Sequence, residues 1–365
     1  MHSNLGGFPT VSPRARGVTA PVPVNKVNDA AIWVHPTDPE KSLILVSNEL
    51  RGVELHDVDG SLEKLFAGDD ANLRASNVDV LYGFGAAASN GGAKTGPWDA
   101  PEFGVDLAIV LAQAPEAGIR VLRIDAEKRR LRDVTAENQP KVAGGAPVGS
   151  CAYRSARTGR GYVFVTAKSG KTEQYELTAG ADARIGLGAA PVRVLELPSK
   201  VKFCCADDEV GAFYVSEENV GVWRFDAEPG GSTTGRLIAR VGEHGLAADV
   251  VGLGVYGAGG GRGYLLAVSQ GEKGGRSAIK VYRRDGANEF VASIEPAAEP
   301  YGPLERISGV AVTNRPLGAR FPNGLMVAND RINANASEDF KLFAWEDVAG
   351  PAGLVVDTKW SARGK

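Results

Sequence analysis

The sequence predicts an all-β chain folded as a single-domain, six-bladed β-propeller. Three observations predict it. The 365 residues include 47 Gly and 20 Pro and few long stretches of strong helix formers, which points to many strands joined by tight turns. A strand-like run recurs six times, starting at residues 43, 107, 162, 212, 264 and 325, roughly 50 to 64 residues apart. That spacing lies in the range in which repeats signal propeller blades. Each of these runs is followed by another, so the unit has three or four strands. One twisted sheet cannot bury its faces alone, whereas radial stacking covers both faces and protects the edges. A β-sandwich would not repeat at this length.

The apolar segments 31–34, 43–47 and 53–58 make the first unit; 78–81, 107–112 and 119–125 make the second. Segments 162–166 and 172–177 belong to the third, and 201–205, 212–216 and 221–226 to the fourth. The fifth has 250–256, 264–269 and 278–283, and the sixth has 325–328 and 340–345. Most middle runs follow a turn containing Gly and end in small or polar residues. Residues 1–27 read as a lead-in segment, 28–349 as the propeller and 350–365 as a C-terminal tail.

Composition excludes several function classes. A net charge of -3 with Lys and Arg spread along the chain gives no basic stripe for a nucleic-acid backbone. No apolar stretch approaches the roughly 18 to 20 residues that span a bilayer. The first nine residues have neither the basic region nor the apolar core of a signal peptide. Three cysteines, Cys151, Cys204 and Cys205, make no disulfide framework.

Two motifs match well-known patterns in the wrong context. Gly252-Leu253-Gly254-Val255-Tyr256-Gly257 fits the dinucleotide fingerprint, but a Gly-rich loop and a strand follow it, so a hairpin is the better reading. Cys151 and Arg157 have cysteine-phosphatase spacing, but a strand followed by an Ala-Arg-Thr-Gly turn reads better. The histidines His2, His35, His56 and His244 lie far apart without the spacing of zinc ligands. Acidic and amide clusters are more informative. Asn28-Asp29, Asn77-Val78-Asp79, Asp207-Asp208-Glu209, Glu217-Glu218, Asp249 and Asn329-Asp330 recur at comparable points of the units. A propeller that gathers several at one end of its channel offers the six to eight oxygens that calcium takes.

Several of these segments, in order from about Asn28 to Trp345, resemble the β-propeller phytases. Asn28-Asp29-Ala30-Ala31-Ile32-Trp33 is similar to the opening of that family, and Ser76-Asn77-Val78-Asp79 to its second blade. Lys202-Phe203-Cys204-Cys205-Ala206-Asp207-Asp208-Glu209, Glu217-Glu218, Ala248-Asp249-Val250, Phe321-Pro322-Asn323-Gly324 and Phe340-Lys341-Leu342 continue the likeness. The resemblance implies a calcium-dependent phosphomonoester hydrolase of 3-phytase type that acts on myo-inositol hexakisphosphate or a smaller phosphorylated molecule. It implies a monomer, secreted or periplasmic. By that resemblance Asp29, Asn77 and Val78 hold a structural calcium, Glu218 and Asp249 serve the catalytic ions, Asp330 matches another acidic ligand, and Lys168 binds phosphate.

The departures fall where the chemistry should be. Lys202 and Val251 stand where the family has calcium-binding glutamates, Ser308 where it has an aspartate, and Asn28 where it has the first aspartate of its opening. On the phosphate side Asn48-Glu49-Leu50 replaces Asn-Lys-Lys, and Val148 replaces a tyrosine. These losses favour a structural calcium over catalytic ones. They suggest that the Lys202 ammonium stands in for an ion beside Glu218 and Asp249 and meets the substrate itself. The competing expectation is a catalytically silent propeller that binds a ligand or partner.

Overall fold

The computed structural model describes residues 7–22, 26–68, 71–86, 104–271, 277–332 and 338–363. Its strands form six separate sheets of four or five strands. Blade 1 is Val27–Trp33, Leu43–Asn48, Gly52–Asp57 and Leu62–Phe66, and blade 2 is Arg74–Phe84, Val105–Ala114, Gly118–Asp125 and Arg130–Asp133. Blade 3 is Pro147–Arg154, Gly161–Ala167 and Lys171–Ala179, with Ile185–Leu187 and Arg193–Glu196 both pairing on the last. Blade 4 is Val201–Asp207, Ala212–Glu217, Gly221–Asp226 and Arg236–Arg240. The first four strands of blade 5 are Val250–Gly257, Gly263–Ser269, Ala278–Arg283 and Phe290–Ile294. Blade 6 has Val310–Thr313, Leu325–Asp330 and Asp339–Ala344. The first strands of successive blades pack side by side, and that of blade 6 closes on that of blade 1. The result is the six-bladed ring that the repeat predicts.

The second strands are apolar runs because blades cover them on both faces: every residue of Leu43–Asn48, Gly161–Ala167, Ala212–Glu217, Gly263–Ser269 and Leu325–Asp330 is buried. Rings lock neighbours together, with Phe164 of blade 3 stacked on Phe213 of blade 4 at 4.0 Å.

The lead-in segment does more than precede the ring. Thr10–Val11 adds a fifth strand to blade 5, parallel to Phe290–Ile294, and Gly17–Val18 pairs antiparallel with Asp339–Ala344 as the outer strand of blade 6. The N-terminus thus ties the last two blades together. The C-terminal tail also packs on the ring. After the helix Trp345–Ala352, Asn314 donates to the carbonyls of Asp357 and Trp360 at 2.8 and 2.9 Å, and Arg363 lies over the Tyr82 ring and pairs with Asp106. The tail therefore covers one end of the channel.

At the other end the first strands share a device that the sequence pattern does not show. In blades 1, 4 and 5 two residues oppose one: the register shifts between Val27 and Ala30, between Val201 and Cys204, and between Val250 and Leu253. Such bulges re-aim side chains. A hydroxyl on the second strand of the same or the preceding blade fastens each. Ser47 Oγ accepts from the Asp29 N–H at 2.9 Å and lies 3.1 Å from the Ser76 carbonyl of blade 2. Thr166 donates to the Lys202 carbonyl at 2.5 Å, and Ser216 to those of Phe203 and Val251 at 3.1 and 2.8 Å. In blade 6 the Asn329 amide oxygen takes the N–H groups of Ser308 and Gly309 at 2.6 and 2.9 Å.

Candidate functional site at the channel mouth

The bulged strand starts and the turns after the second strands lie at one end of the ring, because consecutive strands are antiparallel. Lys202 sits in the bulge of blade 4, Glu218 in the turn after Ala212–Glu217, and Asp249 directly before Val250–Gly257. Backbone bonds fix Glu218 and Asp249: Glu218 N–H to the Lys200 carbonyl at 2.9 Å, Val250 N–H to that of Glu218 at 3.0 Å, and Gln270 N–H to that of Asp249 at 3.1 Å. Asp249 has a φ of 61°, in the left-handed region, which turns the chain from the loop into the strand.

The side chains form a set of ion pairs. Lys202 Nζ lies 2.9 Å from Glu218 Oε1 and 3.2 Å from Asp249 Oδ1, and Lys200 Nζ lies 2.8 Å from the same Glu218 oxygen. Burial works against the Lys202 charge, but the two carboxylates outweigh it and raise its pKa above the ordinary lysine value. Burial likewise pushes Glu218 up, and the two ammoniums more than reverse that, so its pKa is lowered. Beside them opens a cavity of about 360 Å³ lined by Glu218, Asn219, Asp249, Gln270 and Arg306. Lys168 stands exposed at the same end, in the turn between Gly161–Ala167 and Lys171–Ala179.

Asp29, Asn77 and Val78 come together between blades 1 and 2. Asn77 Nδ2 donates to Asp29 Oδ2 at 3.0 Å, while the Asn77 amide oxygen is buried without a hydrogen-bond partner. Burial raises the Asp29 carboxyl to about 7, against hydrogen bonds from Asn77 and from the backbone of Ala30 and Val78. A half-buried carboxyl beside an orphaned buried amide oxygen is a donor set that fits calcium. At the mouth pair an ammonium already lies within ion-pair distance of both Glu218 and Asp249 and occupies the position between them, although Asp249 Oδ1, 3.2 Å from it, accepts no hydrogen bond. Among the described residues no three His, Cys, Asp or Glu side chains converge as a metal site.

Other residues of the acidic pattern are committed to protein partners or lie at the opposite end. Asp330 is buried, with Oδ2 2.7 Å from Lys341 Nζ and Oδ1 accepting from the Glu305 and Ile332 N–H groups, each at 3.2 Å. Glu217 is committed to Ser199 and to the Trp223 indole. Asp207, Asp208 and Glu209 lie at the opposite end of blade 4, since Asp207 pairs with Ala212 whereas Val201 pairs with Glu217. There Arg284 binds Asp207 and Glu209. Gly252 and Gly254 lie within a strand and not at a helix N-terminus. Cys151 is buried on its strand, and burial pushes its thiol well up. His35 accepts from the N–H groups of Thr37 and Asp38, a structural role.

Lys200 and Arg306 are the site residues that sequence reasoning missed. Lys200 is two residues from Lys202, directly before the strand Val201–Asp207, so its closeness in the chain was the signal available. Arg306 lies in an irregular loop with no such period.

The match to known proteins covers this same architecture. A family model described as phytase matches residues 10–360, which takes in the strands Thr10–Val11 and Gly17–Val18 and most of the C-terminal tail. The chain belongs to the phytase family. The 3-phytase of Bacillus subtilis (strain 168) is 34% identical over 340 residues, 90% of this chain and 82% of that protein. A solved β-propeller domain, that of Cps50 (Swd1) from Myceliophteria thermophila, is similar at a TM-score of 0.45 and 10% identity, over 86% of this chain and 83% of that one. In this phytase-family chain, then, the mouth is built from ammonium–carboxylate pairs.

Proposed function

We propose that this chain is a phytase-type phosphomonoester hydrolase whose substrate is a myo-inositol phosphate bound at the channel mouth. The carrying observation is that Lys168, Lys200, Lys202 and Arg306 all lie at one end of a phytase-family ring, where Arg306, Glu218 and Asp249 line a cavity of about 360 Å³ and Lys200 and Lys202 pair with Glu218. A polyanion needs such fixed cations, and ammonium and guanidinium groups make charge-assisted hydrogen bonds to phosphate oxygens. Calcium, the ion that the resemblance implies, would be held by Asp29 and Asn77. There it would supply positive charge to a half-buried carboxyl and tie blade 1 to blade 2.

Phosphate release from inositol hexakisphosphate and from simple sugar phosphates, measured with calcium and with chelator, tests the reading. Release is expected, and Lys168→Ala is expected to lower kcat/KM about ten- to a hundredfold, the loss of one charge-assisted contact. The ion-paired state of both Glu218 and Asp249 favours a second reading, a propeller that binds an inositol phosphate without cleaving it. Binding without release from any of these substrates would replace the first reading with the second.

A further inference from the structure

We propose that Lys202 is an internal counter-cation of the channel mouth, so that in this chain the position between Glu218 and Asp249 takes no divalent ion and phosphate groups bind there without one. The proposal rests on the reading that phosphate groups dock at this end.

The geometry carries it. A calcium ion would require oxygens of Glu218 and Asp249 at roughly 2.3 to 2.6 Å, yet an ammonium stands 2.9 and 3.2 Å from them. Entry of the ion would break both contacts and leave a dication beside a displaced ammonium. The Lys202 backbone, from which the side chain reaches both carboxylates, is itself held by blade 3. Its carbonyl accepts from Thr166 at 2.5 Å, and blade 3 approaches so closely that a Cβ on Gly149 would meet that carbonyl at 2.5 Å. The side chain is largely covered, at 22% exposure. Lys200 adds a second ammonium at 2.8 Å from Glu218, and Arg306 lines the adjoining cavity. Lys200, Lys202 and Arg306 thus stand around Glu218 and Asp249, so fixed positive charge is present there without any added ion. What the rim can recognise is an oxyanion, as a phosphate monoester presents.

Calcium stoichiometry by titration calorimetry compares the wild type with Lys202→Glu, and binding of inositol hexakisphosphate in chelator compares the wild type with Lys202→Met. The expected results are one more calcium per chain in Lys202→Glu than in the wild type, retained hexakisphosphate binding by the wild type in chelator, and a loss of about tenfold in Lys202→Met. Equal calcium counts in a folded Lys202→Glu, or wild-type binding that disappears in chelator, would overturn the proposal. If Lys202→Glu does not fold, the chelator arm decides: affinity of Lys202→Met within about twofold of the wild type also overturns it. These are binding readouts, so failure of phosphate release would count against hydrolysis and leave this inference standing.

Discussion

Lys341→Met is expected to cost about 3 to 5 kcal/mol of stability, the usual effect of breaking a buried ion pair by removing one partner. Lys341 and Asp330 are each about 1% exposed, and their charged atoms meet at 2.7 Å. Lys341 also donates to the carbonyls of Gly302 and Pro303 at 2.8 and 2.7 Å, so it binds a loop to the end of two blade 6 strands. Without it the Asp330 carboxylate keeps two backbone N–H groups but loses its counter-charge. The double variant Asp330→Asn with Lys341→Met, which removes both charges, should recover a large part of the loss. Denaturant unfolding measures both. A single variant within about 1 kcal/mol of the wild type would refute a structural role for Asp330, a residue that the acidic pattern marked as a ligand.

Asp208→Asn is expected to stabilise the protein in alkaline solution and to leave it unchanged in acid. Asp208 faces the channel, where burial raises its carboxyl to about 8 against a hydrogen bond from the Arg154 N–H at 2.9 Å. The folded protein therefore holds this proton more tightly than the unfolded chain does. Its contribution is complete below the ordinary carboxyl range and is lost as pH rises from about 4 to about 8. An amide keeps the acceptor for Arg154 and never has to ionise. Channel water screens part of the penalty, so the gain at pH 9 should be about 2 kcal/mol. Urea unfolding at pH 4, 6 and 9 tests it; a difference constant across that range would show that the charge of Asp208 is not the cause.

The acidic clusters show how far a linear pattern reaches. Recurrence placed Asp29, Glu218 and Asp249 near one end of the ring, because each lies next to the start of a first strand or the end of a second. The same recurrence could not separate Asp207 and Asp208, at the far end of the fourth blade, from Glu217 and Glu218 at the near end. Five residues within one strand reverse the end at which a side chain stands. Nor could it tell a free carboxylate from one spent on Lys341, a partner 11 residues away on the neighbouring strand. Such pairing depends on strand register, which one strand alone does not encode.

What the sequence by itself determined is the repeat: six apolar second strands, each buried on both faces by adjacent blades, leave a period that no other architecture of this length explains. The hydroxyls that pin the bulges, Ser47, Thr166 and Ser216, were visible only as polar ends to apolar runs. The tertiary structure alone decided how the ring closes, since Thr10–Val11 and Gly17–Val18 are too short to carry any periodicity and pair with strands some 300 residues away. It also decided the charge state of the mouth. Lys202 and Asp249 are far apart in the chain, and only the packing of the fourth blade against the fifth brings an ammonium and a carboxylate to 3.2 Å. Coulombic pairing of that kind depends on distance in space, and strand geometry sets that distance after the chain has folded.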